Sequence, residues 1–86
     1  MSQGGKMQQP DLPLSLMPSG LVVAVTSMDE AIDDGQKELL ASYGISPGRT
    51  IIIVQQKPMT VVMAEDMEVA LEITVSRHVW VRKVLS

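Results

Sequence analysis

The chain has 86 residues, seven Lys or Arg against ten Asp or Glu for a net charge of −3, seven methionines, one Trp, one Tyr, and neither Phe nor Cys. This length holds one domain with a small aliphatic core, and without cysteine there is no disulfide framework and no thiolate metal site. The acidic balance disfavours nucleic acid as a general partner, no apolar run reaches the roughly 20 residues that cross a bilayer, and the polar start lacks the apolar h-region of a signal peptide; the cytoplasm is the expected compartment.

Residues 1–10, MSQGGKMQQP, are polar with no apolar period and are read as a flexible tail, which leaves 11–86 as the folded domain. Leu12 to Leu16 and Met17-Pro18 form a proline-constrained lead-in, and Ser19-Gly20 a turn. Leu21–Thr26 is the first predicted strand. After the acidic connection from Ser27 to Asp34, a helix is expected from Gly35 to Tyr43, with Asp33 as N-cap and Gln36 in the capping-box position. Ser27 and Glu30 share that spacing and allow an earlier start. Leu39, Leu40 and Tyr43 are its expected buried stripe.

Gly44 then ends the helix, because a glycine past the last helical residue takes a left-handed conformation without a Cβ clash, and Ile45 folds back onto the last turn. Pro47-Gly48 make a tight turn. Gly44, Pro47 and Gly48 thus form a structural corner between helix and strand. Strand two is expected over Arg49–Lys57, ended by Pro58. Strands three and four, Thr60–Ala64 and Met67–Ile73, are joined by a tight turn at Glu65-Asp66. Thr74-Val75-Ser76 is a break, and Val79–Val84 the last strand. The pattern is mainly β: about five short antiparallel strands with one short helix between strands one and two, in a small, partly closed barrel.

No catalytic set emerges. His78 stands alone without an evident nucleophile, and neither phosphate-loop nor dinucleotide glycine pattern is present; the chain is read as no enzyme. Asp29, Glu30, Asp33 and Asp34 are the best oxygen ligands, but their spacing does not match a calcium loop, and acidic residues before a helix have a capping explanation. His78 with Glu72 adds one nitrogen ligand, thin for iron or zinc; a strand-edge histidine in water is the simpler account. Asp29, Asp33, Asp34 and His78 remain the weak metal candidates, with a divalent transition metal such as iron as the ligand. Met59, Val61 and Met63 share one strand face, where methionine serves core or interface packing. Arg77, Arg82 and Lys83 are read as a solvated edge.

Apolar residues exceed what one core face can hold. With Ile51, Ile53, Val23 and Val25 facing in, alternation turns Ile52, Val54, Val22 and Ala24 out, and Trp80 out between Val79 and Val81. Either another element covers them, or Ile52, Val54 and Trp80 form a contact face for self-association or a partner. A groove of the signalling SH3 kind is disfavoured by the shortage of aromatic residues.

The joints resemble one family. Leu14-Ser15-Leu16-Met17-Pro18-Ser19-Gly20, then Leu40-Ala41-Ser42-Tyr43-Gly44-Ile45-Ser46-Pro47-Gly48, then Val69-Ala70-Leu71 and Val79-Trp80-Val81 are similar to the motifs of FeoA, a small cytoplasmic protein of bacterial ferrous iron uptake. The resemblance runs from about Pro13 to Val84 and departs at Asp66, where the family usually has glycine, and at Ser76, where it usually has alanine. It implies an SH3-like barrel and an accessory role beside FeoB, the membrane iron transporter with a cytoplasmic GTP-binding domain. The barrel also resembles the C-terminal domain of iron-dependent repressors of the diphtheria-toxin-repressor type. The reading is a non-enzymatic interaction module that binds a FeoB-type transporter and neither nucleic acid nor the bilayer itself. The alternatives are a domain that binds a transition metal directly and a corepressor-like domain working with a DNA-binding chain.

Overall fold

The structure, a computed structural model, describes residues 10–84, so the reading of the polar N-terminal segment as a tail falls, Pro10 apart, outside the described residues. The chain runs β1 (Leu12–Pro13), a 3-10 turn (Leu14–Leu16), β2 (Val22–Met28), α1 (Asp34–Ser42), β3 (Thr50–Gln55), β4 (Thr60–Ala64), β5 (Met67–Leu71), α2 (Ile73–Ser76) and β6 (Val79–Lys83). All pairings are antiparallel, in one sheet of order β1-β6-β2-β3-β4-β5. This is a mainly β, SH3-like barrel whose sheet does not close on itself.

Two elements depart from the sequence expectation. The sheet has six strands, because Leu12 and Pro13 pair with Val81 and Trp80; two residues between prolines are too short to show a period. The segment read as a break after a strand ending at Ile73 is instead one helical turn, α2, with β5 stopping at Leu71. Among the described residues no helix is long and apolar enough to cross a membrane.

The core is aliphatic, as the composition requires. Leu14, Ile32, Ile45, Ile51, Ile53, Val23, Val25, Val62, Val79 and Val81 are essentially inaccessible to solvent. Those on strands alternate with exposed or half-buried neighbours, the period-2 pattern of a sheet with one face on the core. Gln56 ties the lead-in to this core: its side-chain amide donates to the carbonyls of Leu14 at 2.9 Å and Met17 at 2.6 Å, and its carbonyl accepts from the buried Thr60 hydroxyl at 2.6 Å.

Helix α1 starts where Asp33 Oδ1 accepts from the Gln36 amide at 2.8 Å, one of the orphan donors at a helix N-terminus. It ends in a Schellman motif: Gly44 N donates to Ala41 O and Ile45 N to Leu40 O, both at 2.9 Å, with the buried pair Leu40 and Ile45 beneath. The expected stripe is corrected at one position. Leu40 is buried and Tyr43 half-buried, but Leu39 is 54% exposed, because so short a helix reaches the sheet along a single row.

The chain then turns through Ser46–Arg49, closed by Arg49 N to Ser46 O at 3.0 Å, with Pro47 and Gly48 at its centre and Gly48 at φ +93°, the geometry of a type II turn. Two bonds of 2.8 Å, Gly48 N to Val25 O and Val25 N to Arg49 O, fasten it to β2. The β4–β5 hairpin closes with Ala64 opposite Met67, and both loop residues have positive φ, Glu65 at 50° and Asp66 at 67°. That is a type I′ turn, whose twist matches the flanking strands.

Candidate functional site

Alternation along β3 buries Ile51 and Ile53 and leaves Ile52 44% exposed. Ile52 lies opposite Val22 on β2 and Met63 on β4, and Met63 lies opposite Glu68 on β5. Side chains directly opposite share a sheet face, so Val22, Ile52 and Met63 form a continuous apolar row ending at a carboxylate. Val54 has no cross-strand partner: register passes from Ile53–Val62 to Gln55–Val61, making it the extra residue of a β-bulge. It stays 41% exposed beside the row. Met63 was legible as lying on one face with Met59 and Val61; which residues flank it depends on strand order.

Trp80 lies elsewhere. It is half-buried on β6, opposite Pro13 of β1 and Ser27 of β2, whereas Ile52 sits opposite Val22 at the other end of β2. Five residues of strand separate the two positions by about 16 Å. The ground between is polar. Arg82, opposite Ala24, holds Asp11 Oδ1 through Nε at 3.0 Å and Nη2 at 2.9 Å, and the Thr26 hydroxyl donates to Asp11 Oδ2 at 2.9 Å. The Thr26 bond, then Arg82, draws the Asp11 pKa below its usual value. Asp11 gave no signal in the sequence, because its partners are distant in the chain. Arg82, read as part of a solvated edge, is thus half-exposed and paired.

The acidic residues and His78 are likewise dispersed. His78 pairs with Asp29 and not with Glu72: Nδ1 lies 2.8 Å from Asp29 Oδ2, at the junction where Asp29 N donates to His78 O at 3.1 Å. Asp29 Oδ1 also accepts from the Ala31 amide at 2.9 Å. The His78 bond first and the Ala31 amide second lower the Asp29 pKa. With its side chain 26% exposed, His78 is less open than a strand-edge histidine in water. Asp33 spends Oδ1 on the helix cap, and Asp34 lies in the first turn of α1. Among the described residues no three His, Cys, Asp or Glu side chains come together as a metal site. Here Asp29 and His78 hydrogen-bond each other, Asp33 caps α1 through Oδ1, and Asp34 lies in its first turn.

The corner lies under the hairpin tip. Gly44 has φ +91°, and a Cβ there would stand 2.9 Å from Glu65 Cγ and Cδ. Glu65 in turn meets Arg49 Nη2 at 2.7 Å. One ion pair across the surface thus joins the end of the type II turn to the β4–β5 turn.

Comparison with known proteins places this geometry. A crystal structure described as an iron uptake regulatory protein, FeoA, is 24% identical, spans 88% of this chain and all of its own, and superposes with a TM-score of 0.77. The crystal structure of T. acidophilum IdeR is 15% identical, with a TM-score of 0.74 over 94% of this chain; the chain spans 38% of its length. At such identities the two likenesses establish the fold. None of the curated proteins matches the chain. The family model for the FeoA domain matches residues 12–83, from β1 to the end of β6, and the chain belongs to the FeoA domain family.

Proposed function

We propose that this chain is a non-enzymatic, cytoplasmic accessory of ferrous iron transport that works by contact with the soluble GTP-binding domain of a FeoB-type transporter. The observation that carries the reading is the apolar row of exposed Val22 and Ile52 and half-buried Met63, with exposed Val54 beside it. Exposed apolar side chains in a contiguous row on a small domain mark a contact surface better than scattered ones do. Membership of the FeoA family and the fold shared with a FeoA structure support iron transport as the setting. Trp80 forms a second, smaller contact on the β1–β6 side, beyond the Asp11–Arg82 pair.

Such a module changes a transporter only by binding one of its conformations better than another. The charged ends of this surface, Glu68 on one side and Arg82 with Asp11 on the other, fix orientation, while the aliphatic row supplies most of the binding free energy. Sedimentation of the full chain with the transporter's soluble domain tests this. The parent co-sediments, and Ile52→Ser with Val54→Ser loses the complex while keeping a cooperative unfolding transition. A doubly substituted protein that binds as the parent does would remove the row from the interface.

A further inference from the structure

The strand order leaves β5 at a sheet edge, paired only with β4. Bonded pairs alternate along an antiparallel ladder from the hairpin's closing pair, Ala64 with Met67. Met67, Val69 and Leu71 therefore bond β4, while Glu68 and Ala70 turn their N–H and C=O groups to the open side. Among the described residues no further backbone bond reaches Met67–Leu71. Beside this edge runs a groove of about 270 Å³ between β5, α1 and α2, floored by Leu39, Leu40, Tyr43, Val69, Leu71 and Val75. Its lining by three consecutive residues of β5, Val69 to Leu71, suits side chains entering one after another from a strand laid beside it. Glu72 also lines the groove and no Lys or Arg does; Glu68 on the strand and Asp66 in the turn before it add negative charge.

We propose that β5 is a docking edge for an extended segment of a partner protein. The segment is apolar at alternate positions with Lys or Arg at its ends, adds to the sheet as a further strand, and inserts alternate side chains between β5 and α1. Main-chain bonds to Glu68 and Ala70 supply affinity and the groove supplies selectivity, the division of labour in strand addition. Charge decides against a second copy as the occupant. Antiparallel pairing of β5 with itself about Val69 sets Asp66 opposite Glu72, and like charges directly opposite are destabilising. This edge meets the Ile52 row at Glu68, whose side chain ends the row while its backbone faces the open edge, and the proposal does not depend on the transporter contact.

Amide NMR of the full chain tests it with a capped peptide of alternating valine and threonine between two terminal lysines. Two controls are the same peptide with terminal glutamates and one N-methylated at every second amide. The lysine peptide shifts the Glu68 and Ala70 amides and slows their exchange, binding about five- to tenfold tighter than the glutamate peptide. The N-methylated peptide does not bind, and Glu72→Lys reduces the lysine preference. Ala70→Pro, at an edge position whose N–H faces solvent and which therefore tolerates proline, also abolishes binding. Any of three results overturns the proposal: no change at Glu68 and Ala70 up to about 1 mM peptide, equal binding of the two charged peptides, or protection of this edge that rises with protein concentration alone.

Discussion

Replacing Gly44 with alanine separates backbone strain from side-chain crowding at the helix-to-strand corner. Gly44 is held at φ +91°, where a residue with a Cβ carries strain of about 1–3 kcal/mol. The new Cβ would also stand 2.9 Å from Glu65 Cγ and Cδ, a separation that forces movement. The Glu65 side chain is 52% exposed and flexible, so it can swing away, with loss of its 2.7 Å pair with Arg49. An exposed ion pair of this kind contributes at most about 1 kcal/mol. Gly44→Ala should therefore destabilise by roughly 1–4 kcal/mol, most of it strain. For a domain of this size each kcal/mol lowers Tm by about 4–8 °C. Gly48 is a built-in control, with φ +93° and nothing within 4 Å of its Cβ position; Gly48→Ala should show the strain without the crowding. Urea unfolding followed by Trp80 fluorescence, for Gly44→Ala alone and with Glu65→Ala, resolves the two contributions. An unchanged midpoint for Gly44→Ala, or complete recovery when Glu65 is truncated, would refute a strained corner.

Other substitutions probe separate elements. Asp33→Ala removes the carboxylate that accepts from Gln36 N at 2.8 Å and should cost about 1 kcal/mol, read from the same urea midpoint; no change would mean that α1 is not capped there. Ser76 is fully buried and, among the described residues, its hydroxyl has no hydrogen-bond partner, so Ser76→Ala should raise stability by about 1 kcal/mol or more, and a lower midpoint would show a bond to that oxygen. Asp29 and Asp11 both have pKa values below the ordinary aspartate value in the folded state. Their contribution is full above the unfolded pKa, about 3.9, and is lost as pH falls from there through the folded values. Asp29→Asn and Asp11→Asn should each flatten the acid limb of a stability–pH curve, and an acid limb identical to the parent's would contradict the role of the His78 and Thr26–Arg82 bonds.

Local rules made much of this fold legible. Gly44-Ile45 specifies a Schellman stop because one residue must take positive φ and the next must fold back on Leu40. Asp33 and Gln36 specify a cap by spacing alone. The hairpin was legible from Asp66, which tolerates positive φ, although Glu65 takes it as well. What stayed hidden is non-local or too short to have a period. β1 consists of two residues that form a strand only because β6 offers them a partner. α2 is one turn of Ile-Thr-Val-Ser, whose β-branched residues suggest an extended chain. Leu39 has the helical spacing of a core residue, but among the described residues no element packs over it. For the candidate site, alternation assigned Ile52 and Val54 to the outer face, yet it could not place them far from Trp80. That distance depends on β2 standing between β3 and β6, and the polar ground between depends on Asp11 and Arg82, 71 residues apart in the chain.

The central claim is that this chain shifts iron transport by distinguishing states of a partner. Titration calorimetry of the full chain against the transporter's soluble GTP-binding domain tests it, with that domain loaded with GDP in one cell and with a non-hydrolysable GTP analogue in the other. Binding is expected in both or one, with affinities differing by at least about fivefold, the lower end of ordinary allosteric coupling. Equal affinity for the two nucleotide states, or no binding to either, would contradict it.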